Sequence, residues 1–337
     1  MFLIIDGSSL LATHFYGSIP DGMKMAKTEE EKAKYYKDIM QNSKGVYTNA
    51  VFGALDAVLK IIKYQKPDHL LVVLDKTNDT FRRKIYPEYK ATRNPKPEPF
   101  RQQVPLFMQA LRYIGIPVLF SDDFEADDLA GSAIRKFEHE EKCVFMTKDH
   151  DYLQLIDKNV KGWMMQISKE KVDELEVKYF GDYEDREKPN IPRKVFEFTA
   201  RQVRGEEGVT PLQIVDKKAL CGDKSDNIPG VHGVGESAAI PLLNQYGSVE
   251  KIYEIIEKAQ TPEAEKNLSL LWRKTLGVKK SPLNALKKGK DMCFLSKQLA
   301  TIKTDCQVPE ELQWYVPHID FAKLENVRKT LELPALG

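Results

Sequence analysis

The sequence has little of what marks several common classes of protein. Its 337 residues include only four cysteines, which are far apart and form no C-x-x-C pair, so we expect neither a disulfide framework nor a zinc site of the usual spacing. No apolar run approaches the roughly 18–20 residues that a membrane helix needs. The N-terminal stretch MFLIID ends in Asp6 and does not fit the apolar region of a signal peptide. We therefore expect a cytoplasmic protein with reduced thiols.

Net charge is also nearly absent, because 51 Lys and Arg residues balance 50 Asp and Glu residues. The two signs are nevertheless segregated along the chain. Between Phe81 and Arg101 there are seven basic residues and two acids, and between Arg273 and Lys303 there are nine basic residues and one acid. A chain of this kind can contact phosphate groups with one surface and bind cations with another. Taken alone, each basic stretch also fits an ordinary solvated surface.

Strands and helices alternate in the first half of the chain, which predicts an α/β fold with a mostly parallel sheet and helices on its faces. The short apolar runs that predict strands are residues 2–5, 69–74, 116–120 and 143–146, and the helical patterns cover 49–64, 101–114 and 125–140. Between these elements the sequence predicts a surface helix or lid over 18–45, a mobile basic segment over 81–100 and a linker over 178–193.

Carboxylates stand at or just after the ends of three predicted strands, at Asp6, Asp75 and Asp149. The carboxyl ends of parallel strands lie at one edge of a sheet, so these acids should meet there. Two short motifs, residues 125–128 and 222–226, add further acids. The full set of candidate metal ligands is Asp6, Asp75, Glu125, Asp127, Asp128, Asp149, Asp151, Asp223 and Asp226.

Nine carboxylates in one crevice would repel each other strongly unless cations lay among them. Oxygen ligands of this kind suit Mg²⁺ or Mn²⁺ better than zinc. Two such ions about 4 Å apart can activate a water and hold a phosphate without a nucleophilic side chain. For the motif at 125–128 alone, an N-cap followed by acidic first-turn residues is an equally good interpretation.

A glycine-rich stretch, IPGVHGVGESAAI over residues 228–240, follows the last of these acids. Gly230, Gly233 and Gly235 permit backbone turns that other residues resist, and a helix is expected from Glu236 to Tyr246. Backbone N–H groups at such a helix start can bind a phosphate without reading a base. A lone glycine turn is more often only a loop, but its position directly after two candidate ligands favours binding.

Together these stretches resemble the 5′ nuclease family, which includes the flap endonucleases and the 5′→3′ exonuclease domain of bacterial DNA polymerase I. The matching segments are IIDGSS (4–9), VVLD (72–75), TFRRKIYPEYKATR (80–93), FEADDLAG (124–131), TKDHDYLQLI (147–156), GDKSDNIPGVHGVGESAA (222–239) and LATIKTD (299–305). The resemblance implies a PIN-like α/β domain followed by an α-helical helix–three-turn–helix region that binds DNA. We expect the catalytic domain at 1–177 with an arch around 78–100, the helical region at 194–306 and a C-terminal tail at 307–337.

The resemblance also implies ligands and residue roles. One Mg²⁺ ion, which Mn²⁺ can replace, would be held by Asp6, Asp75, Glu125, Asp127 and Asp128, and a second by Asp149, Asp151, Asp223 and Asp226. Basic arch residues that grip the scissile phosphate correspond to Arg82, Lys90 and Arg93. Further DNA contacts are expected at Arg83, Lys84, Gly230, Gly233, Gly235, Glu236 and Ser237, and main-chain carbonyls of Val231 and Val234 are candidates for a potassium site.

The function implied is a metal-dependent 5′→3′ exonuclease and 5′-flap endonuclease that acts on branched or nicked DNA, or on RNA primers, in replication and repair. The alternatives are a non-catalytic binder of branched DNA and a PIN-type ribonuclease. The sequence departs from the family at Thr13 and His14, where relatives carry an arginine, and at His150, where they carry a lysine. No polymerase region follows and no heptad pattern is present, so we expect a stand-alone monomeric nuclease without membrane contact.

Overall fold

In the computed structural model, which describes residues 1–77, 79–181 and 190–337, six strands form a single sheet. They are β1 (Phe2–Asp6), β2 (His69–Val73), β3 (Val118–Leu119), β4 (Cys143–Thr147), β5 (Val160–Met165) and β6 (Val195–Phe198). Their order across the sheet is β3-β2-β1-β4-β5-β6. The first five strands are parallel, and β6 is antiparallel to β5. The predicted fold class, a mostly parallel sheet flanked by helices and followed by a helical region, is confirmed.

Helices connect the strands, and those strands are followed after β6 by a helical region. They are α1 (Gly7–Ser18), α2 (Asp21–Met25), α3 (Glu29–Ala33), α4 (Asn49–Gln65), α5 (Phe81–Ile85), α6 (Glu98–Tyr113), α7 (Ala126–Phe137), α8 (Lys169–Phe180), α9 (Ala200–Glu207), α10 (Ile214–Cys221), α11 (Glu236–Tyr246), α12 (Val249–Lys258), α13 (Pro262–Lys274), α14 (Leu283–Lys288), α15 (Lys290–Ala300) and α16 (Phe321–Leu331). Short 3₁₀ helices lie at Tyr36–Asp38, His150–Leu155, Pro211–Gln213 and Leu312–Tyr315.

The sheet is buried on both faces, as expected for parallel strands covered by helices. Phe2 and Ile4 of β1 pack into one core, while Leu3 and Ile5 pack into the other. The second core lies under α1, α4 and α6, whereas the first lies under α7 and continues into the helical region as far as Trp272 of α13. One apolar core therefore joins the sheet to the helical region.

Two segments outside the predicted catalytic domain pack on the sheet side of the molecule. β6 begins at Val195, beyond the predicted catalytic domain, and pairs with β5 of the sheet. Residues after 307 also fold back onto the sheet side: the N–H of His318 donates to the carbonyl of Gly115 at 3.1 Å, and Val327 of α16 is buried in the second core. The expected tail is thus part of the first structural unit, because its apolar side chains complete that core.

Some predictions concern residues that are not described. Residues 182–189 of the predicted linker, and residue 78 at the start of the predicted arch, lie outside the described residues. Within the described part of the chain, no helix is both long enough and apolar enough to cross a bilayer.

The contact between Gly115 and His318 gives a test of how the C-terminal segment docks. Gly115 has a φ of +90°, and a Cβ there would lie 2.0 Å from the carbonyl oxygen of His318. We expect Gly115→Ala to lower the melting temperature strongly. The control, Gly277→Ala, has a φ of +70° and open space around its Cβ, so it should cost only the roughly 1–2 kcal/mol of a left-handed alanine. Equal melting temperatures for the two variants would contradict the docking contact.

Candidate active site

The carboxyl edge of β1, β2 and β4 carries the first acids of the site. Asp6 ends β1 and caps α1: its Oδ1 accepts from the N–H of Ser9 at 2.9 Å, and its Oδ2 accepts from the Thr147 hydroxyl at 2.6 Å. Asp75 follows β2, and its Oδ1 accepts from the N–H of Ala126 at 2.9 Å, at the start of α7. Asp149 follows β4. The strand ends therefore place these three acids at one edge, and Asp75 also anchors α7 there.

Tyr152 shows how closely the acids approach each other. Its side chain is buried, and its hydroxyl has no hydrogen-bond partner. Burial raises the pKa of Tyr152 well above its usual value, and the charges of four acids raise it further: Asp6, Asp127, Asp75 and Asp149. All four carboxylates therefore lie near enough to this hydroxyl group for their charges to act on it.

The acids around Tyr152 accept no hydrogen bond from a basic side chain of the described residues. Asp127 is the clearest case: its buried Oδ1 accepts no hydrogen bond and lies 3.9 Å from the nearest guanidinium, that of Arg82. Burial raises the pKa of Asp127 well above its usual value, and burial also raises the pKa of Asp6. Loss of hydration raises the pKa of Asp149 to about 7, and the neighbouring Asp151 adds to the rise. An uncompensated cluster of this kind favours a bound cation.

Arg82 is placed differently from the prediction that it grips a phosphate. Its side chain is 2% exposed, and its guanidinium donates to both oxygens of Asp128 at 2.7 and 2.8 Å and to Glu125 at 3.2 Å. It also donates to the carbonyls of Leu299 and Thr301 at 2.9 Å. Because its donors are occupied by the protein, Arg82 joins α5, α7 and the chain after α15 and does not face a ligand. Both oxygens of Asp128 are correspondingly occupied by hydrogen bonds from Arg82.

Lys90 and Arg93 lie at the surface of the same cluster. The ammonium of Lys90 is 2.9 Å from Glu125 and 3.7 Å from Asp226, and Arg93 forms an ion pair with Asp226. The Tyr89 hydroxyl lies 3.1 Å from carboxylate oxygens of both Glu125 and Asp226. The segment at 81–100, predicted to be mobile, is thus folded onto the acids through these contacts. Arg83 and Lys84 lie outside the cluster, and Lys84 pairs with Asp123 at 2.9 Å.

The remaining two acids share one lysine. The Lys218 ammonium, on α10, pairs with Asp151 and lies 2.6 Å from Asp223. Burial opposes ionisation of Asp223, but the charge of Lys218 and hydrogen bonds from Ser225 outweigh it and lower the pKa of Asp223 to about 2. Lys218 therefore acts as the counter-ion of this carboxylate pair.

Basic side chains thus occupy much of the predicted acid set. Among residues 1–77, 79–181 and 190–337, no three acidic, histidine or cysteine side chains stand close enough together to hold an ion without rearrangement. Six of the nine acids have a basic partner: Glu125, Asp127, Asp128, Asp151, Asp223 and Asp226. The other three, Asp6, Asp75 and Asp149, accept hydrogen bonds from neutral donors. The site is therefore divided into a cation-poor part and a part that the protein neutralises itself.

The glycine hairpin joins α10 to α11, and helix α11 has the bounds predicted for it. Gly230 is buried, with a φ of +63°, and a Cβ there would lie 2.2 Å from the amide nitrogen of Gly222. Its role is close packing of backbone, unlike the DNA contact predicted for it. Gly233 and Gly235 have open space where a Cβ would stand, and Glu236 and Ser237 are exposed beside them. These four residues form the accessible tip of the hairpin.

Several residues of the site were not predicted. Tyr152 and Thr147 lie beside predicted ligands in sequence, yet a buried aromatic or threonine gives no sign of facing acids. Lys218 precedes Asp223 by five residues, and helix α10 ends between them, with Gly222 as its C-cap. Their pairing therefore depends on the exact end of the helix. The sequence gives no sign that the Tyr89 hydroxyl contacts Glu125 and Asp226.

Comparison with known proteins places these features in a family. Residues 1–180 match the model of the 5′-3′ exonuclease N-terminal resolvase-like domain, and residues 209–320 match the 5′-3′ exonuclease C-terminal SAM fold. A 5′-3′ exonuclease from Aquifex aeolicus is 34% identical over 266 residues, which are 78% of this chain and 76% of that protein. DNA polymerase I from Caldicellulosiruptor bescii is 33% identical over 312 residues, which are 92% of this chain and 30% of the polymerase.

Solved structures show the same fold at lower identity. A structure of the T5 5′-exonuclease with bound zinc ions aligns with a TM-score of 0.59 and 18% identity, covering 98% of each chain. A complex of the bacteriophage T5 flap endonuclease with DNA and metal ions aligns with a TM-score of 0.56 and 17% identity, covering 98% of this chain and 97% of that one. With both of its family models matched in order and close relatives over most of its length, the chain belongs to the 5′-3′ exonuclease family of phosphodiester hydrolases.

Proposed function

We propose that the protein is a metal-dependent 5′→3′ exonuclease and 5′-flap endonuclease that cuts branched or nicked DNA, or RNA primers, during replication and repair. The observation that carries the proposal is the buried Asp127 oxygen without a hydrogen-bond donor, near the same Tyr152 hydroxyl on which Asp6, Asp75 and Asp149 act. The chain spans about a third of the length of the DNA polymerase I relatives, 30% for the one from C. bescii. The activity is therefore proposed for this chain on the strength of its own site.

The donor set fits divalent metal ions. Carboxylate oxygens without competing nitrogen or sulfur ligands suit Mg²⁺, with Mn²⁺ as a substitute, and solved relatives from T5 carry divalent ions. Asp6, Asp75 and Asp127, with Glu125 and Asp128 beside them, would hold one ion, and Asp149, Asp151, Asp223 and Asp226 a second. Bound there, a pair of ions supplies an activated water and stabilises the leaving oxygen of a phosphodiester.

The basic side chains beside the acids have two different roles. Arg93 is 47% exposed and Lys90 lies at the rim of the acids, so both can turn to the phosphate of a substrate. Arg82 holds Asp128 and Glu125 in place from below and is a positioning residue. This arrangement orients a phosphodiester over the acids while the buried arginine keeps the carboxylates from spreading.

The hairpin tip supplies a sequence-independent DNA contact. Gly233, Gly235, Glu236 and Ser237 are exposed together at the start of α11, where free N–H groups can bind backbone phosphates. A potassium site at the carbonyls of Val231 and Val234 stays a prediction. So do a monomeric state, a cytoplasmic location and the division into a catalytic domain and a helix–three-turn–helix region. The DNA complex of the T5 flap endonuclease supports DNA as the partner.

The activity is tested with a labelled 5′-flap duplex, with Mg²⁺ and with EDTA. We expect cleavage only with Mg²⁺, and a decrease of more than about 100-fold in Asp127→Asn, since even residues beside a metal ligand contribute 10–100-fold. Asp173→Asn, an exposed acid on α8 paired with Lys169, is the matched control and should retain full activity. Binding of the flap without cleavage under any divalent ion would instead identify a non-catalytic DNA binder.

The role of Lys218 as a counter-ion is tested by Lys218→Met. In EDTA, the variant should lose up to about 3 kcal/mol of stability because Asp151 and Asp223 then repel without compensation. Added Mg²⁺ should raise its melting temperature more than that of the unmodified protein, since no ammonium competes with the ion. Lys217→Met is the control, because Lys217 pairs with Glu207 and Glu236 outside the acid set. An Mg²⁺ response equal to that of the control would refute this role.

The raised carboxyl pKa values predict how ion binding depends on pH. Asp149, with a pKa of about 7, holds a proton part of the time at neutral pH, and an ion binds only the ionised form. Mg²⁺ affinity should therefore fall as the pH falls, by about tenfold per such group between pH 8 and 6. Calorimetry at several pH values measures this, together with proton release in buffers of different ionisation enthalpy. Affinity that does not change over this range would show that the carboxyls are already ionised.

A further inference from the structure

A cavity of about 990 Å³ lies on the opposite face of the sheet from the glycine hairpin. It is enclosed by α1, α4, the ends of β4 and β5, and the chain leading into β6. Its apolar wall belongs to the second core, with Leu10, Ile61 and Met146. Its volume is at the upper end of the range for small-molecule sites, and neither the acids nor the hairpin use it.

The cations of this cavity are unusual because they lack acidic partners. Lys148, Arg193 and Lys194 line it, and none of them has an ion pair to any residue of the described chain. Asp56 is the one acid among the lining residues that the structure describes, and it is already paired with Lys60 at 2.7 Å. The cavity is therefore lined by three basic side chains that form no ion pair with a described residue, and burial together with the charge of Lys194 lowers the pKa of Lys148.

The rim of the cavity adds aromatic and hydrogen-bonding groups. Tyr16 is 47% exposed and Tyr64 is 60% exposed, and Thr13 and Gln166 lie among the lining residues. Clustered cations beside aromatic rings and an apolar wall are the combination that binds a phosphate together with a base. An inorganic anion would use the charges but would leave the apolar wall and the rings uncovered.

The cavity also adjoins the acids directly. Ser9 lines it and donates its N–H to Asp6, and Lys148 follows Thr147, whose hydroxyl donates to the other oxygen of Asp6. Asp6 is thus linked to the cavity wall through Ser9 on one side and through Thr147 on the other. A DNA strand lying over the acids would therefore also reach the cavity.

We propose that this cavity binds a single nucleotide, with its phosphate on Lys148 and Lys194 and its base against the apolar wall beside Tyr16. The nucleotide has two possible sources, the unpaired terminal residue of a DNA strand that crosses the acids or a free nucleoside monophosphate. The first source rests on the proposed function, whereas binding of a free nucleotide does not.

The test uses the whole protein in EDTA, so that no cleavage occurs and binding is measured apart from activity. Calorimetry with dAMP should show saturable binding that weakens at least tenfold in Lys148→Gln/Lys194→Gln. Lys258→Gln, at an exposed lysine of α12 that does not line the cavity, should bind dAMP as the unmodified protein does. Circular dichroism and melting temperature verify that the double variant is folded. Equal dAMP affinity in the double variant, or inorganic phosphate binding as tightly as dAMP, would overturn the proposal.

The source is decided with nicked duplexes, again in EDTA. If a strand end is the ligand, a duplex with one unpaired nucleotide at the nick should bind more tightly than a fully paired one, and the double variant should lose this difference. If the two duplexes bind equally while dAMP still binds, the free nucleotide is the ligand. If the unmodified protein does not cleave the flap with Mg²⁺, the nuclease function is overturned. The dAMP result does not depend on that outcome.

Discussion

The ion pair between Arg82 and Asp128 is the contact on which the rest of the site depends. Both side chains are almost fully buried, and such a pair is tolerated only when every donor and acceptor is satisfied. Arg82 meets this condition by joining α5, α7 and the carbonyls after α15. Three segments that are far apart in sequence are thereby fixed around one guanidinium, and the acids of α7 are held at the edge of the sheet beside those of β1 and β2.

The crowded acids fall into two groups, which differ in how their negative charge is offset. Those on the helical side are neutralised by the protein itself, through Lys218, Lys90 and Arg93. Near Tyr152, burial instead raises the pKa values of Asp6, Asp127 and Asp149. A protein that needed only stability would have apolar residues at such positions, because they pack without desolvation. Under the proposed function, the acids around Tyr152 would bind an added cation, and the neutralised acids would exchange a basic side chain for a metal ion.

The sequence predicted the parts of this structure that follow from local rules. Acids at the ends of alternating strands had to meet, because parallel strands share a carboxyl edge, and α11 follows from a glycine and an acidic first turn. It did not predict β5 and β6: the stretch from Val160 to Met165 contains a lysine and a glycine, and its Trp163 and Met164 were interpreted only as core residues. Nor did it predict which acid each basic residue meets. Arg82 and Arg93 are alike in sequence, and only the packing of α15 encloses the first and leaves the second at the surface.

The apolar core that runs from the sheet through to Trp272 has a mechanical consequence. Because α10 packs both on the hairpin side and against the 3₁₀ helix after β4, the hairpin tip and the carboxylate edge belong to one rigid frame. The distance between the hairpin tip and the carboxylate edge is then fixed by this packing. Under the proposed function, a duplex bound at the tip would present its backbone to the acids at a distance set by packed side chains, and that distance would determine the position of the cut.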